Sequence, residues 1–126
     1  MGRYYNGDIN GKFGFGCQSS DDGEYFGAVE DGEPNILHYY IPADEFPNAI
    51  DKLSALISDF NINAQPKEKL TLGTDEDKFW DIMRDNAHWT SLKGNNLKMY
   101  RMNMGYEIYR HAKESPNDWI YFDAEL

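Results

Sequence analysis

The order of apolar and polar residues divides the chain into a β half and a helical half. Eight of the eleven glycines lie in the first 32 residues, whereas every clear helical pattern begins after residue 42. Short alternating segments between glycine-rich turns are typical of strands, and apolar positions that recur every three to four residues are typical of helices. No repeat or low-complexity linker separates the halves, so we expect one domain over residues 1–126.

The first half predicts antiparallel strands joined by tight turns. Asn6-Gly7 and Asn10-Gly11 favour hairpin turns, because asparagine and glycine tolerate the positive φ that such turns need. Alternation predicts a strand over Lys12–Cys17, and two further strands, Glu24–Glu30 and Ile36–Ile41, are predicted between the turns that follow. The segments that bound these strands have the composition of turns: Ser19–Gly23, Asp31–Pro34 and Pro42.

A continuous apolar stripe predicts the first helix. Its members recur with a period of 3.6 residues: Phe46, Ala49, Ile50, Leu53, Leu56, Ile57 and Phe60. We expect Asp44 to be the N-cap, and Pro47 falls in the first turn, where its missing N–H costs little. Asn61–Pro66 should end the helix.

A second helix is predicted to start at Thr74. Asp77 follows three residues later, which resembles a capping box although aspartate replaces the usual Glu or Gln. Phe79, Ile82 and Met83 would form its inner face, with Trp80 beside them.

The segment Asn96–Lys113 fits either a strand or a helix. Its composition favours the helix, because Ile108 is its only β-branched residue. Gly105 would cost about 1 kcal/mol inside this helix, and it would let a neighbouring element pack closely. Ser115–Asp118 should end the helix, and Trp119–Phe122 predicts a final strand.

These elements together predict an α+β fold. We expect a small antiparallel sheet of about four strands, with three helices packed on one of its faces.

Composition excludes several classes of protein. The chain has 22 acidic and 12 basic residues, a net charge of −10, which argues against direct nucleic-acid binding through phosphate neutralisation. Cys17 is the only cysteine, so neither an intrachain disulfide nor a thiolate-based zinc site is possible. The chain also lacks a membrane-length apolar run and a signal-peptide core near its start. We therefore expect a soluble, cytoplasmic protein without membrane contact.

Three short motifs resemble ligand sites, but each lacks an essential part. Gly14–Ser19 reads G-x-G-x-x-S, yet turn residues follow where a dinucleotide fingerprint requires a helix. Asp8–Gly11 resembles the start of a calcium loop without its later ligands. The third motif is an acidic set that could hold a cation weakly and that we interpret as a solvated turn: Asp21, Asp22 and Glu24.

Asp77, Asp81 and Asp85 are spaced four residues apart, so they share one face of the second predicted helix. Metal-dependent phosphoryl transfer uses carboxylates that converge from several elements. We therefore interpret this row as a solvated face, partly balanced by Lys78 and Arg84, with metal binding as the alternative.

Four residues could carry nucleophilic or general-base chemistry near neutral pH: Cys17, His38, His88 and His111. Cys17 with a histidine and a carboxylate would form a catalytic set. A lone cysteine on the apolar face of a strand is more often buried packing, and no local signature indicates catalysis. We therefore assign no catalytic, cofactor-binding or metal-binding residue and no cofactor.

Charge is unevenly distributed along the chain. Residues 1–60 carry a net charge of −8, whereas Leu92–Lys113 carries +4. The basic segment could pair with the acidic half of its own chain or with another copy, and ordinary mixing of surface charge is the third possibility. Tyr100, Tyr106 and Tyr109 could add apolar contact area, so we expect a homodimer in which this segment takes part.

Part of the chain resembles a known group of sequences. The similar residues are Arg3–Tyr5, Gly7–Ile9, Gly11–Phe13, Phe15-Gly16, Gln18–Asp21 and Phe122–Leu126. In these the chain resembles short uncharacterised proteins encoded by bacteriophages, by aquatic viruses and in environmental sequences. The resemblance implies a viral source and an accessory role.

The sequence thus favours a non-enzymatic binding or regulatory protein that acts through contacts with a protein partner. Two alternatives belong to other classes. One is a small enzyme with a cleft between sheet and helices that uses Cys17 or a histidine. The other is an acidic nucleic-acid mimic that occupies a DNA-binding surface of a host protein.

Overall fold

A computed structural model describes residues 3–14, 17–30 and 37–125. Within these ranges the chain forms five strands: β1 (Tyr4–Gly7), β2 (Gly11–Lys12), β3 (Val29–Glu30), β4 (Leu37–Ile41) and β5 (Ile120–Ala124). The same ranges contain four α-helices: α1 (Phe46–Ala64), α2 (Glu76–Asp85), α3 (Ala87–Thr90) and α4 (Asn95–Glu114). The predicted α+β class is confirmed.

The strands form one antiparallel sheet in the order β2-β1-β5-β4-β3. The described part of this sheet has one strand more than the four that the sequence predicts. β5, the last strand along the chain, lies at its centre between β1 and β4. The first and last strands in chain order therefore pair in the middle of the sheet, where Tyr5 faces Ala124.

Side chains alternate between the two faces of the sheet. In β5 Ile120, Phe122 and Ala124 are buried, while Tyr121 and Asp123 between them are exposed. These three buried side chains pack with the inward-facing side chains of the helices in one hydrophobic core. One face of the sheet therefore packs on the helices, as predicted, and the other faces solvent.

Two strand predictions in the first half need correction. β2 contains only Gly11 and Lys12, whereas Phe13, Gly14 and Cys17 lie outside any strand, and the Cys17 N–H donates to the Gly14 carbonyl. Residues 22–26 form a 3₁₀ helix, and only Val29–Glu30 of the predicted second strand is extended. Gly27 ends the 3₁₀ helix with a φ of 92°, a left-handed conformation that glycine adopts readily.

Other predictions in this half are confirmed or untested. β1 and β2 form a hairpin with residues 8–10 as its loop, although Asn6-Gly7 ends β1 and does not form the separate turn that we expected there. β4 matches the strand predicted before Pro42. The turn predicted at Asp31–Pro34 lies outside the described residues, as do Phe15, Gly16 and Ile36.

α1 follows the predicted stripe. Six of its seven apolar members are buried, and Ile50 is half-buried. The N-cap is Glu45 rather than Asp44, because a 3₁₀ turn at Ala43–Glu45 leads directly into the helix. α1 ends at Ala64, within the predicted terminating segment Asn61–Pro66, where Gln65 takes a left-handed φ of 49°.

The N-cap of α2 lies one residue later than predicted. Its N-cap is Asp75 rather than Thr74, because the Asp75 carboxylate accepts a hydrogen bond of 2.8 Å from the Lys78 N–H. The predicted inner face, Phe79, Ile82 and Met83, is buried.

The ambiguous segment is a helix, as its composition predicts. α4 contains the whole of residues 96–113, and Gly105 allows the close approach that we expected. A Cβ atom on Gly105 would lie 2.9 Å from Leu53 Cδ1 and 3.1 Å from Phe26 Cε1. α1 and α4 therefore pack against each other through this glycine.

Within the part of the chain that the structure describes, no helix combines the length and the apolar character needed to cross a bilayer.

Candidate functional site

The outer face of the sheet, on the side opposite the helices, carries large exposed side chains. Tyr4, Trp119 and Tyr121 are 49%, 45% and 57% exposed, and Val29 on the neighbouring edge is 44% exposed. Single exposed apolar residues are common, but a contiguous set on one surface marks an interaction site in many proteins.

Trp119 and Tyr121 form a stack with the half-buried Tyr40, and we call these three rings the aromatic stack. Tyr40 and Trp119 lie 5.5 Å apart between ring centroids and are nearly parallel, with an interplanar angle of 15°. Trp119 and Tyr121 are 6.5 Å apart at 26°. The sheet register causes this arrangement, since Tyr40 faces Tyr121 directly and Trp119 lies two residues before Tyr121 on the same side.

A polar region borders the aromatic stack on the same face. His38 faces Asp123 across the strands, and His38 Nδ1 lies 2.5 Å from Asp123 Oδ1. Both side chains are partly exposed. The backbone N–H of Tyr4 donates to the Glu125 carboxylate, so a second carboxylate is held at this end of the face.

The structure does not place Cys17 where a reactive thiolate is expected. Cys17 lies in a turn rather than on a strand, and it is half-buried instead of fully packed. Burial raises the pKa of the Cys17 thiol above its ordinary value, and the nearby Asp22 carboxylate raises it further, although Arg3 partly opposes both. A nucleophilic cysteine needs the opposite shift.

The three histidines lie in three different parts of the fold. His38 is on the outer sheet face, His88 is exposed on α3, and His111 near the end of α4 contacts the Asp118 carbonyl through Nε2 at 3.1 Å. Among the described residues no hydrogen bond joins the Cys17 side chain to a histidine. The structure therefore does not bring together the catalytic set considered from the sequence.

The prediction that Asp21, Asp22 and Glu24 form a solvated turn is wrong for Asp22. It is 5% exposed, and its carboxylate accepts hydrogen bonds of 2.7–3.0 Å from Nε and Nη2 of Arg101. It also accepts from the Gln18 amide at 2.8 Å. Asp21 and Glu24 remain exposed, so these three acids do not converge on one site.

The other acidic and glycine motifs have structural roles. The Asp8 carboxylate accepts from the Tyr121 N–H at 2.8 Å, which ties the first hairpin to β5. The Gly14 N–H donates to the Gln18 side chain, and a Cβ at position 14 would lie 2.4 Å from the Tyr100 ring. Gly14 therefore lies in a turn beneath an aromatic ring.

The aspartate row of α2 is exposed, as expected. Arg84 contacts Asp81, whereas Lys78 pairs with Glu68 at 3.1 Å instead of with the row. Within the described ranges, no group of three or more His, Cys, Asp or Glu side chains is arranged to hold a metal ion.

Part of the basic segment is paired inside the molecule. Lys98 contacts Asp59 at 2.9 Å and Arg101 contacts Asp22, so two of the five bases neutralise acids of the first 60 residues. Tyr106 is buried, and its hydroxyl donates to the Thr71 carbonyl at 2.7 Å. It therefore cannot supply the exposed contact area that we expected of it.

Sequence reasoning missed the aromatic stack, because its members come from strands about 80 positions apart along the chain. A signal was present in Trp119 and Tyr121, which alternate with the apolar Ile120 and Phe122. In a strand with one buried face, such alternation places two large rings on the other face.

Comparison with protein-family models, with curated proteins and with solved structures finds no match for this chain.

Proposed function

We propose that this chain is a non-enzymatic binding protein that acts through protein–protein contacts at the outer face of its sheet. The observation that carries the proposal is the aromatic stack on a face that the helices leave uncovered. Tyrosine and tryptophan dominate the energetic centres of protein interfaces, since they offer large apolar area with a polar tip.

The charge around the stack favours a basic partner. The carboxylates of Asp118, Asp123 and Glu125 lie beside or on this face, and the whole chain has a net charge of −10. Such a field attracts a positively charged surface and repels an acidic one. The partner that fits is a protein with an apolar or aromatic patch bordered by lysine and arginine.

A paired capture experiment tests this proposal. Trp119→Ala combined with Tyr121→Ala removes two members of the stack, and Ile62→Ala is the matched control, because Ile62 is an exposed apolar residue at 68% on α1. A specific partner should be recovered about tenfold less with the double variant and equally with the control, given the cost of losing interface aromatics.

The captured protein is then purified and titrated against the native chain, the double variant and the Ile62→Ala control. A basic protein with the expected loss of affinity would support the proposal. Equal affinity for the native chain and for the double variant would overturn it.

Self-association remains a separate proposal. Some bases of α4, such as Lys113, do not pair with an acid of the first 60 residues among the described contacts. These bases could still contribute charge to a contact between copies. Two chains of charge −10 repel each other, so we expect a weak dimer that strengthens with salt if the sheet face forms the contact. Contact through opposite charges would weaken with salt instead.

Sedimentation velocity at low and high salt distinguishes these outcomes. A 14.6 kDa species at tens of micromolar under both conditions would exclude self-association. A viral source and an accessory role, which the resemblance to short uncharacterised proteins implies, also remain predictions.

A further inference from the structure

A cavity of about 410 Å³ lies between α4 and the segment that leads into α2. Its volume falls within the range of small-molecule sites. We call it the α2–α4 cavity, and the lining residues that matter here are Leu72, Glu76, Asn103, Tyr106, Glu107 and Arg110.

The helical repeat of α4 builds one wall. Asn103, Glu107 and Arg110 are spaced by four and three residues, so their side chains share a face. The opposite wall is fixed by two contacts already described, the hydrogen bond from Tyr106 to the Thr71 carbonyl and the Asp75 cap of α2. The cavity is therefore formed by anchored elements.

The cavity wall contains polar groups that are buried to an unusual degree. Glu107 is 7% exposed and Asn103 is 6% exposed. The side chain of Asn103 lies beside the hydroxyl of Tyr5, which is 2% exposed and does not line the cavity. Glu107 and Asn103 therefore place two buried polar side chains in the cavity wall.

Negative charge exceeds positive charge around the cavity. The lining contains four acids, Asp75, Glu76, Glu107 and Glu114, against the two bases Arg110 and Lys113. Burial raises the pKa of Glu107, and the facing Glu76 carboxylate raises it too, while the Arg110 pair and the Asn10 N–H oppose them. The positive charge of Arg110 therefore offsets the burial of the Glu107 carboxylate only in part.

We propose that the α2–α4 cavity binds a small organic cation, an aliphatic primary amine or diamine. Its ammonium group would lie between Glu76 and Glu107, which come from two different helices. Its carbon chain would lie along Leu72 and the Tyr106 ring. The apolar part of this lining favours an organic ammonium ion over a bare metal ion, which prefers oxygen ligands on all sides.

Calorimetric titration with 1,4-diaminobutane tests the proposal. Butylamine serves as the monoamine probe, and sodium butyrate at the same ionic strength serves as the anionic probe of the same chain length. We expect the diamine to bind with a Kd below about 1 mM and the butyrate to give no binding heat. Equal binding of butyrate, or no diamine binding at about 10 mM, would overturn the proposal.

Two neighbouring variants separate a site from general attraction to an acidic surface. Glu76 lines the cavity, whereas Asp77, the next residue of α2, is exposed and does not line it. Glu76→Gln should weaken diamine binding about tenfold, as expected for loss of one charge-assisted contact, and Asp77→Asn should change it less than about twofold. Equal weakening by both variants would show nonspecific attraction and would overturn the proposal.

Discussion

The Asp22 carboxylate depends on one partner for most of its charge compensation. It is buried at the start of the first 3₁₀ helix, and Arg101 of α4 contacts it through two nitrogen atoms. The Arg101 guanidinium also lies 4.3 Å from the centre of the Tyr25 ring. A residue 79 positions away therefore decides whether this aspartate can be buried.

Removal of Arg101 should strongly destabilise the fold. Arg101→Ala leaves the charge of Asp22 buried without its main partner, so we expect the free energy of unfolding to fall by about 3–5 kcal/mol. Urea denaturation measures this change. Arg84→Ala is the control, because the exposed pair of Arg84 with Asp81 should contribute less than about 1 kcal/mol. Similar losses for both variants would contradict the assignment of Asp22 and Arg101 as a buried pair.

Glu107 should make stability depend on pH. Its folded-state pKa is raised, mainly by burial, so the folded protein retains this proton to a higher pH than the unfolded chain does. The contribution of Glu107 to stability is therefore full below the unfolded pKa of about 4.3 and decreases as pH rises through the folded pKa.

Glu107→Gln removes this titration. We expect the variant to lose less stability than the native chain between about pH 4.3 and 7, measured as urea midpoints across that range. Unchanged pH dependence in the variant would show that Glu107 does not titrate differently on folding.

At the scale of elements, the contact between α1 and α4 depends on matched side-chain size. Leu53 is fully buried and fits against the bare backbone at Gly105. Glycine costs about 1 kcal/mol within a helix relative to alanine, so its presence in α4 reflects this packing and not helix propensity.

Substitutions at these two positions should be coupled. Leu53→Ala should cost about 2–5 kcal/mol, because it opens a cavity in the core. Gly105→Ala should cost about 1 kcal/mol, since an overpacking penalty of about 1–3 kcal/mol exceeds the gain in helix propensity. The double variant should lose less than the sum, because the smaller side chain at position 53 makes room for the new methyl group. Additive losses in urea denaturation would contradict direct contact.

For the whole molecule, the position of β5 determines cooperativity. This strand pairs with both β1 and β4, so it joins the first hairpin to the rest of the sheet. Its inward side chains Ile120 and Phe122 are also part of the hydrophobic core.

Truncation before β5 should therefore unfold the protein. A chain ending at residue 118 would leave two sheet edges unpaired and expose the core beneath them. Circular dichroism should show loss of the cooperative thermal transition. As a control, Tyr121→Ala, which changes only the outer face, should retain that transition. A cooperative transition in the truncated chain would show that the helices fold without the central strand.

Elements with a regular local pattern could be predicted from the sequence. The stripe of α1 depends on residues three to four positions apart, which become neighbours through helical geometry alone. β4 and β5 are short apolar and aromatic segments next to residues typical of turns, which is also a local signal. Even the choice of helix for α4 followed from local composition. The exact N-caps of α1 and α2 were each wrong by one residue, because the preceding turn selects among adjacent residues.

Contacts between distant residues were decided only in the tertiary structure. The burial of Asp22 needs Arg101, the aromatic stack needs β4 beside β5, and the α2–α4 cavity needs two helices held apart by an anchored loop. The segment 24–30 illustrates the reason most directly, since its position between two turns predicts a strand while its first residues form a 3₁₀ helix. Local preference differs little between such states, so the burial of Phe26 and the charge pair at Asp22 determine which one forms.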